Sequence, residues 1–321
     1  MKIQEITLDL LDPVEFIARK SEALAAAVRD GVAVNALSGG VDSSVVTVLG
    51  HKALGNKLKT YFIDNGIMRK NEPTQIAEQF RSLGIPIEII DARGPFFAAL
   101  KGLTDPEEKR EAITQTFYKN VFGSLVQKSG ARFLLQGTIF TDVEETIAGV
   151  KRQHNILAQI GIDTVEQFGY EVIEPLIELR KPGVRKVGEA LGLPREIYNR
   201  PPFPGPALAA RVIGEVTPER VALVREATAI VEEELAGSGA FQYLAILHED
   251  RVTGIRNGKR DYGNQIEVRC WESTDARTAT PSRLNFDILQ RMAERMTAEI
   301  PGVVSVTYNI TSKPTSTIEA V

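Results

Sequence analysis

The sequence predicts an α/β fold, with a doubly wound parallel sheet followed by a smaller α+β domain. Three observations support this. Short apolar segments alternate with amphipathic helical segments in the first part of the chain, which is typical of a parallel sheet with helices on both faces. A glycine turn at residues 38–40 joins the first apolar segment to a helix, as at the ligand-binding edge of such sheets. Residues 200–206 contain four prolines and one glycine, which neither a helix nor a central strand accommodates.

The first predicted domain covers residues 1–206. Residues 13–30 carry apolar side chains at helical spacing. The apolar run 32–37 lies between Gly31 and the glycine turn, as expected of a buried parallel strand. The remaining predicted elements are a helix at 43–54, a strand at 58–63, a helix at 73–83, a strand at 86–90, a helix at 106–128 and a strand at 132–136.

The second predicted domain covers residues 207–321, where the order of elements changes. Strands now follow one another in runs, and two helices separate them, which indicates an α+β arrangement. The predicted strands are 211–216, 242–247, 252–255, 265–271 and 303–310, and the predicted helices are 218–236 and 282–299.

Composition restricts the class of protein. The chain has 321 residues, and its 42 acidic residues nearly balance its 38 basic ones. This balance argues against binding to a long nucleic acid, which requires excess positive charge. The single cysteine, Cys270, excludes an internal disulfide. The first residues are acidic where a signal peptide would be basic, and no apolar run of membrane-spanning length occurs, so we expect a cytoplasmic protein.

The turn that follows the first strand has the residues of a phosphate-binding site. Its sequence is SGGVDSS, residues 38–44. Glycines let a ligand approach the backbone, and the helix that follows presents unpaired N–H groups to an anion. Asp42 would repel a phosphate unless a cation lay between them, which suggests Mg²⁺. The turn lacks the lysine of a P-loop, so it does not favour γ-phosphate transfer. The alternative is a serine-capped turn without a ligand.

The heptapeptide resembles the pyrophosphate-binding loop of the N-type ATP pyrophosphatases, which include GMP synthetase and NAD synthetase. Longer segments resemble the synthetase subunit of GMP synthetase in particular. These segments are residues 61–72, 103–110, 135–145, 174–187, 199–219 and 312–319. No amidotransferase domain precedes the loop, so the resemblance is to the two-subunit form, whose glutaminase is a separate chain.

The resemblance implies a function. ATP is cleaved between its α- and β-phosphates with Mg²⁺, the O2 atom of XMP is adenylated, and ammonia then displaces AMP to give GMP. It also implies a homodimer formed through the second domain. The implied pyrophosphate-binding residues are Ser38, Gly39, Gly40, Val41, Asp42, Ser43 and Ser44, with Asp42 and Asp142 as metal ligands.

Further residues are implied by position in the family motifs. Asp142 matches an aspartate near the adenylation centre, although it could simply cap a helix. Lys151 and His154 match a mobile lid and are expected to be catalytic, although a solvated lysine and a structural histidine are the alternatives. The implied nucleotide-binding residues are Arg69, Lys313, Ile318 and Glu319, for which the alternative near the C-terminus is a polar tail.

The departures from the family lie on the acceptor side. The lid at 152–160 loses one histidine and both glycines, and Gly258 replaces an aspartate that contacts XMP in the family. Residues 277–279 and the last residues also differ. Two alternatives therefore stay open. One is a paralogue that adenylates another phosphorylated acceptor for amino or sulfur transfer, with Cys270 as the sulfur carrier; the other is a non-catalytic, nucleotide-sensing dimer.

Overall fold

The computed structural model describes residues 3–147, 170–200, 203–274 and 276–320. The chain divides into two compact units that interleave along the sequence. The first unit takes its residues from Met1–Asp64, Glu72–Ala92 and Phe117–Arg200, and the second takes its residues from Asn65–Asn71, Arg93–Thr116 and Pro201–Val321. The linear boundary at 206/207 stays a proposal.

The first unit contains a five-stranded, fully parallel sheet in the order β3-β2-β1-β4-β5. The strands are β1 Ala33–Ala36, β2 Leu58–Asp64, β3 Glu88–Asp91, β4 Phe133–Leu135 and β5 Glu171–Ile173. The predicted doubly wound sheet is confirmed. The strand order reverses at β1, because β2 lies on one side of it and β4 on the other. Ligands of such sheets bind at this switch point, beyond the carboxyl ends of the strands.

Four of the described α-helices begin with a side-chain cap, namely those that follow Asp12, Asp105, Thr217 and Asn285. Asp12, for example, accepts hydrogen bonds from the amides of Val14 and Glu15 and so caps the first helix, which Pro13 begins. The helices are α1 Pro13–Val28, α2 Val41–Leu54, α3 Glu72–Ser82, α4 Arg93–Leu100, α5 Pro106–Gln115, α6 Gly123–Ser129, α7 Phe140–Ile147, α8 Lys181–Ala190, α9 Arg195–Tyr198, α10 Pro218–Glu234 and α11 Phe286–Glu299. Among them, none combines the length and the apolar character that crossing a membrane requires.

The predicted helix at 106–128 is interrupted. Residues Thr116–Phe122 form a π-helical segment between α5 and α6. Within it the rings of Phe117 and Phe122 stack with their centroids 5.8 Å apart. The chain passes from the second unit to the first within this segment, between Thr116 and Phe117.

The second unit contains a four-stranded mixed sheet. Strand β6 Gln242–Arg256 pairs with β7 Lys259–Glu272, which also pairs with β8 Thr280–Pro281 and, in parallel, with β9 Val303–Tyr308. Helix α10 packs on β6, α11 packs on β9, and the two helices contact each other. This unit is the expected α+β domain.

Two strand predictions in this unit were wrong. The segments 242–247 and 252–255 are parts of one strand, β6, with an irregularity between Leu247 and Arg251. The strand predicted at 211–216 does not form, since Ala207–Arg211 is a 3-10 helix and Val212 makes only an isolated bridge to Leu247. Gly214 has φ +82°, a left-handed conformation that ends an extended segment.

Candidate active site

The predicted phosphate loop lies at the carboxyl end of β1, between that strand and α2. Gly39 has φ +77°, and Gly40 precedes α2 without any side-chain cap. Ser43 Oγ donates to the Gly40 carbonyl (3.0 Å) and lies 3.0 Å from Ser38 Oγ. The loop is therefore closed by its own hydroxyls, and among the described residues Gly40 gives α2 no side-chain cap. The N–H groups of such a helix terminus bind phosphate oxygens.

An ion pair in the first unit fixes the loop backbone. Arg200 Nη1 donates to the Gly39 carbonyl (3.1 Å), while Arg200 Nη2 pairs with Glu72 Oε1 (2.6 Å). The Glu72 side chain is 3% exposed. A Cβ on Gly39 would lie 3.2 Å from Arg200 Nη1, so both the left-handed φ and the guanidinium require glycine here.

Asp42, in the first turn of α2, is arranged to meet positive charge. Its Oδ2 accepts a 2.6 Å hydrogen bond from Lys181 Nζ, at the start of α8. Its Oδ1 is buried and, among the residues that the structure describes, has no hydrogen-bond partner. A buried carboxylate oxygen that lacks a partner is suited to a cation. The described part of the chain contains no cluster of three metal-ligating side chains.

The loop after β4 passes directly against α2. A Cβ on Gly137 would lie 3.2 Å from the backbone of both Asp42 and Ser43, so glycine permits this approach. The next residue, Thr138, is buried, and its hydroxyl donates to Glu174 Oε1 (2.5 Å), just beyond β5. Burial raises the pKa of Glu174, and the hydrogen bond from Thr138 opposes that rise. The carboxyl ends of β1, β4 and β5 thus carry adjoining polar groups.

Asp142 caps α7. Its Oδ2 accepts from the amide of Ile139 (2.9 Å), the residue that precedes Phe140–Ile147. This is the return hydrogen bond of a capping box, in which an acidic side chain in the first turn binds the capping residue's N–H. The capping role considered for Asp142 is therefore present, and its predicted metal role stays a prediction. Lys151 and His154, the predicted lid residues, lie outside the described residues.

Arg69 and Glu319, both predicted to bind the acceptor, belong to one cluster in the second unit. The Arg69 guanidinium lies 3.7 Å from the centroid of the Phe203 ring, and Arg69 Nε pairs with Glu232 Oε1 (2.8 Å). The Arg211 guanidinium lies 4.7 Å from the same ring centroid. Arg211 is buried and pairs with Glu319 through Nε (3.2 Å) and Nη2 (3.3 Å).

The C-terminal segment is packed and is not a solvated polar tail. Ile318 is buried in an apolar cluster with Leu244, Ile246, Trp271 and Ala279. The Glu319 carboxylate also accepts from Gln242 Nε2 (2.7 Å). Lys313 Nζ donates to the Ala276 carbonyl (2.8 Å), so all four predicted acceptor-site residues are anchored within the second unit.

Gly258 occupies the tip of the β6–β7 hairpin. Asn257 and Gly258 have φ values of +52° and +72°, as in the two-residue turns that join antiparallel strands. A Cβ on Gly258 would meet nothing within 4 Å. Glycine therefore suits the turn, and a side chain at position 258 would find open space but would be strained by the positive φ.

Sequence reasoning did not identify Glu72, Lys181 or Arg200. Each reaches the phosphate loop from a distant part of the chain, and the pairs Lys181–Asp42 and Arg200–Gly39 span 139 and 161 residues. Neither the helix that Lys181 begins nor the short strand that precedes it was predicted, so no local signal placed this side chain at the phosphate loop.

Comparison with known proteins gives consistent matches. The family described as NAD synthase matches residues 16–205, and the family described as GMP synthase C terminal domain matches residues 230–320. The chain is 48% identical over 309 residues to the B subunit of glutamine-hydrolysing GMP synthase from Archaeoglobus fulgidus, covering 96% of this chain and 99% of that protein. It is 45% identical to the same subunit from Pyrococcus horikoshii (96% and 99%) and 44% identical to that from Methanocaldococcus jannaschii (97% and 99%). A solved NH3-dependent NAD synthetase from Campylobacter jejuni aligns with a TM-score of 0.46 at 14% identity, covering 59% of this chain and 78% of that one.

Proposed function

This chain belongs to the family of GMP synthase B subunits, and from that membership we propose that it uses ATP to adenylate XMP and then aminates it to GMP. The membership confirms the resemblance inferred from the sequence. The chain is accordingly an ATP-dependent ligase. The observation that carries the proposal is the phosphate loop, with its closed glycine turn, uncapped helix N-terminus and partly unpartnered Asp42 carboxylate within the described part of the chain.

The reaction has two steps. In the first, O2 of XMP attacks the α-phosphorus of ATP, the bond to the bridging oxygen breaks, and pyrophosphate leaves. In the second, ammonia adds at C2 and AMP departs. The oxygen on the ring is a poor leaving group, and adenylation converts it into a good one.

The described residues can stabilise the first step. The N–H groups of α2, with the hydroxyls of Ser38 and Ser43, are donors for the departing pyrophosphate. Lys181 adds positive charge beside them. Asp42 and Asp142 would hold Mg²⁺, which would further neutralise the charge of the pyrophosphate. Lys151 and His154 act from the lid in this proposal.

The acceptor binds through the second unit. Arg69, Lys313, Ile318 and Glu319 contact XMP. Arg69 and Arg211 support this proposal, because two guanidinium groups face one aromatic ring. Gly258 removes one carboxylate contact, and losing a hydrogen bond to a buried polar group typically costs about 1–3 kcal/mol, or roughly 5- to 150-fold in affinity.

Two partners complete the proposal. Ammonia comes from a separate glutaminase chain, because the relatives are named as one subunit of a glutamine-hydrolysing enzyme. The chain forms a homodimer through residues 207–321. Ile255 and Tyr262, on the β6–β7 hairpin, are exposed apolar side chains that support an interface there. We place the enzyme in the cytoplasm, without nucleic acid or membrane partners.

The test is direct. XMP, ATP, Mg²⁺ and high ammonium are supplied, and AMP, pyrophosphate and GMP are measured together. The proposal expects equal amounts of the three products. ADP and phosphate as primary products would overturn the adenylation, whereas AMP formed only with another nucleotide acceptor would overturn the choice of XMP. Light scattering at micromolar concentration tests the dimer, and an active monomer would contradict it.

A further inference from the structure

Hydrogen-bonded polar side chains connect β2, β1 and α2 in the core next to the phosphate loop. Asn35 on β1, Thr47 on α2 and Thr60 on β2 are 1%, 0% and 3% exposed, respectively. They lie among apolar neighbours such as Val46 and Phe62, which are also buried. Asn35 and Thr60 stand directly opposite each other in the register of β1 and β2. Buried polar groups at such positions are costly unless each has a hydrogen-bond partner, so their presence calls for an explanation.

At each hydrogen bond between these polar side chains, the donor and the acceptor can be assigned. Thr60 Oγ1 donates to Asn35 Oδ1 (2.6 Å), and Asn35 Nδ2 donates to Thr47 Oγ1 (2.6 Å). Thr47 Oγ1 then donates to the carbonyl of Ser43 (2.8 Å). At the other end, His51 Nε2 lies 3.1 Å from Thr60 Oγ1. Since the Thr60 hydrogen is used for Asn35, His51 Nε2 is the donor there.

These hydrogen bonds end on the residue that closes the loop. Ser43 Oγ donates to the Gly40 carbonyl and also accepts from the amide of Ser38 (3.2 Å). Thr47 and Ser43 lie one turn apart on α2, so the bond from Asn35 to Thr47 connects the sheet to the first turn of this helix. The strands β1 and β2 are held by the sheet, so they are a rigid reference for that turn.

We propose that Asn35, Thr47 and Thr60 are positioning residues that hold Ser43, and with it the first turn of α2, in the geometry that binds the leaving pyrophosphate. The inference rests on the proposed function for its substrate, but the geometry that carries it does not. A polar chain is not the arrangement that stability alone would select. Replacing paired buried polar groups with apolar groups of the same shape is often neutral or stabilising.

A variant without these hydrogen bonds therefore distinguishes a role in positioning from a role in stability. The triple variant Asn35→Leu/Thr47→Val/Thr60→Val replaces the three side chains with apolar ones of similar volume, so their hydrogen-bonding groups are removed together. Outside these three residues, the half-buried His51 ring loses its contact with Thr60 Oγ1. We expect its melting temperature to stay near that of the wild type. We expect kcat/KM for ATP to fall about tenfold or more, since a displacement of about 1 Å in a positioning group can cost up to about 100-fold. The KM for XMP should not change.

Two single variants and one control sharpen the test. Thr47→Val removes the link to Ser43 and should lower kcat/KM for ATP, whereas Thr47→Ser keeps the hydroxyl and should restore most of it. Thr228→Val is the control: Thr228 is equally buried on α10, and within the described part of the chain its hydroxyl has no hydrogen-bond partner. Its kinetic constants should equal those of the wild type.

A binding measurement keeps this inference separate from the reaction. Calorimetry with Mg²⁺ and inorganic pyrophosphate reports on the loop whichever acceptor the enzyme uses. Weaker pyrophosphate binding by the triple variant, by about tenfold, supports the inference even if XMP is not the acceptor. Wild-type affinity and wild-type kcat/KM for ATP in the triple variant would overturn it. So would a variant series in which only the melting temperature changes.

Discussion

Replacing Lys181 with methionine should abolish most activity with little loss of stability. Lys181 Nζ lies 2.6 Å from Asp42 Oδ2, but the two side chains are 44% and 23% exposed. A pair screened by solvent to this extent contributes about 0–1 kcal/mol to folding. For a domain of this size, about 1 kcal/mol shifts the melting temperature by roughly 2–4 °C. Lys181→Met should therefore lower it by no more than that.

The effect on catalysis should be far larger. Lys181 brings a positive charge to the phosphate loop, where negative charge develops on the departing pyrophosphate. Losing one such stabilising group typically lowers kcat by about 100- to 1,000-fold, which corresponds to about 2.7–4 kcal/mol. We expect Lys181→Met to lose about 100-fold in kcat/KM for ATP, and Lys181→Arg, which keeps the charge, to lose much less. The assay is pyrophosphate release with saturating XMP and ammonium.

A second lysine–aspartate pair in the first unit is the control. Lys57 Nζ lies 3.4 Å from Asp30 Oδ1, with side chains 48% and 106% exposed. Lys57→Met should change the melting temperature by a similar small amount and leave the kinetics unaltered. The reasoning fails if Lys181→Met and Lys57→Met give the same kinetics. It also fails if the activity lost by Lys181→Met is explained by unfolding at the assay temperature.

Further predictions concern the loop, its support and the acceptor. Asp42→Asn should lower pyrophosphate release by at least about 100-fold, because charge stabilisation at the transition state is lost; calorimetry should show weaker Mg²⁺·ATP binding, and an unchanged rate contradicts the metal role. Gly39→Ala should destabilise the protein by about 1–2 kcal/mol, because a Cβ is strained at φ +77°. Urea unfolding measures this loss. Gly84→Ala is the control, because Gly84 also has a positive φ but lies in open space, so it reports the backbone strain without a contact such as that with Arg200. Burial lowers the pKa of His51, so the unfolded state binds more protons. The free energy of unfolding should therefore reach its full value above about pH 6.5 and decrease as the pH falls below that value. His51→Gln should make this decrease with pH smaller when it is measured by urea unfolding. Lys313→Ala should raise the KM for XMP and leave the KM for ATP unchanged.

Local sequence patterns were sufficient for the phosphate loop and its flanking elements. The run before Gly39 and the periodicity after Gly40 identify β1 and α2, since both signals come from residues that are close together in the chain. The strand β5 went unrecognised because Glu171–Ile173 is short and begins with an exposed charged residue, whereas the equally short β4, Phe133–Leu135, is entirely apolar. The strand predicted at 211–216 was wrong because Gly214 adopts a left-handed conformation that composition does not reveal.

The side chains that support the loop could not be found in this way. Lys181 and Arg200 contact it from positions 139 and 161 residues away. Their role depends on which strands become neighbours, and the order β1-β4-β5 is a property of the whole sheet. The hydrogen bonds that connect Thr60 to Ser43 could not be predicted either. Asn35 lies in an otherwise apolar segment, and the sequence alone does not identify a partner for its amide.

The interleaving of the two units limits how this protein can be divided or recombined. The chain passes from one unit to the other five times, at 64/65, 71/72, 92/93, 116/117 and 200/201. A fragment ending at residue 206 would keep Asn65–Asn71 and Arg93–Thr116 without the rest of their own unit, and the buried Lys109 would lose its hydrogen bond to the Val212 carbonyl. Exchange of one unit between relatives by a single crossover would therefore produce a chimaera with mismatched cores. Successful chimaeras should need all three segments of a unit to be transferred together.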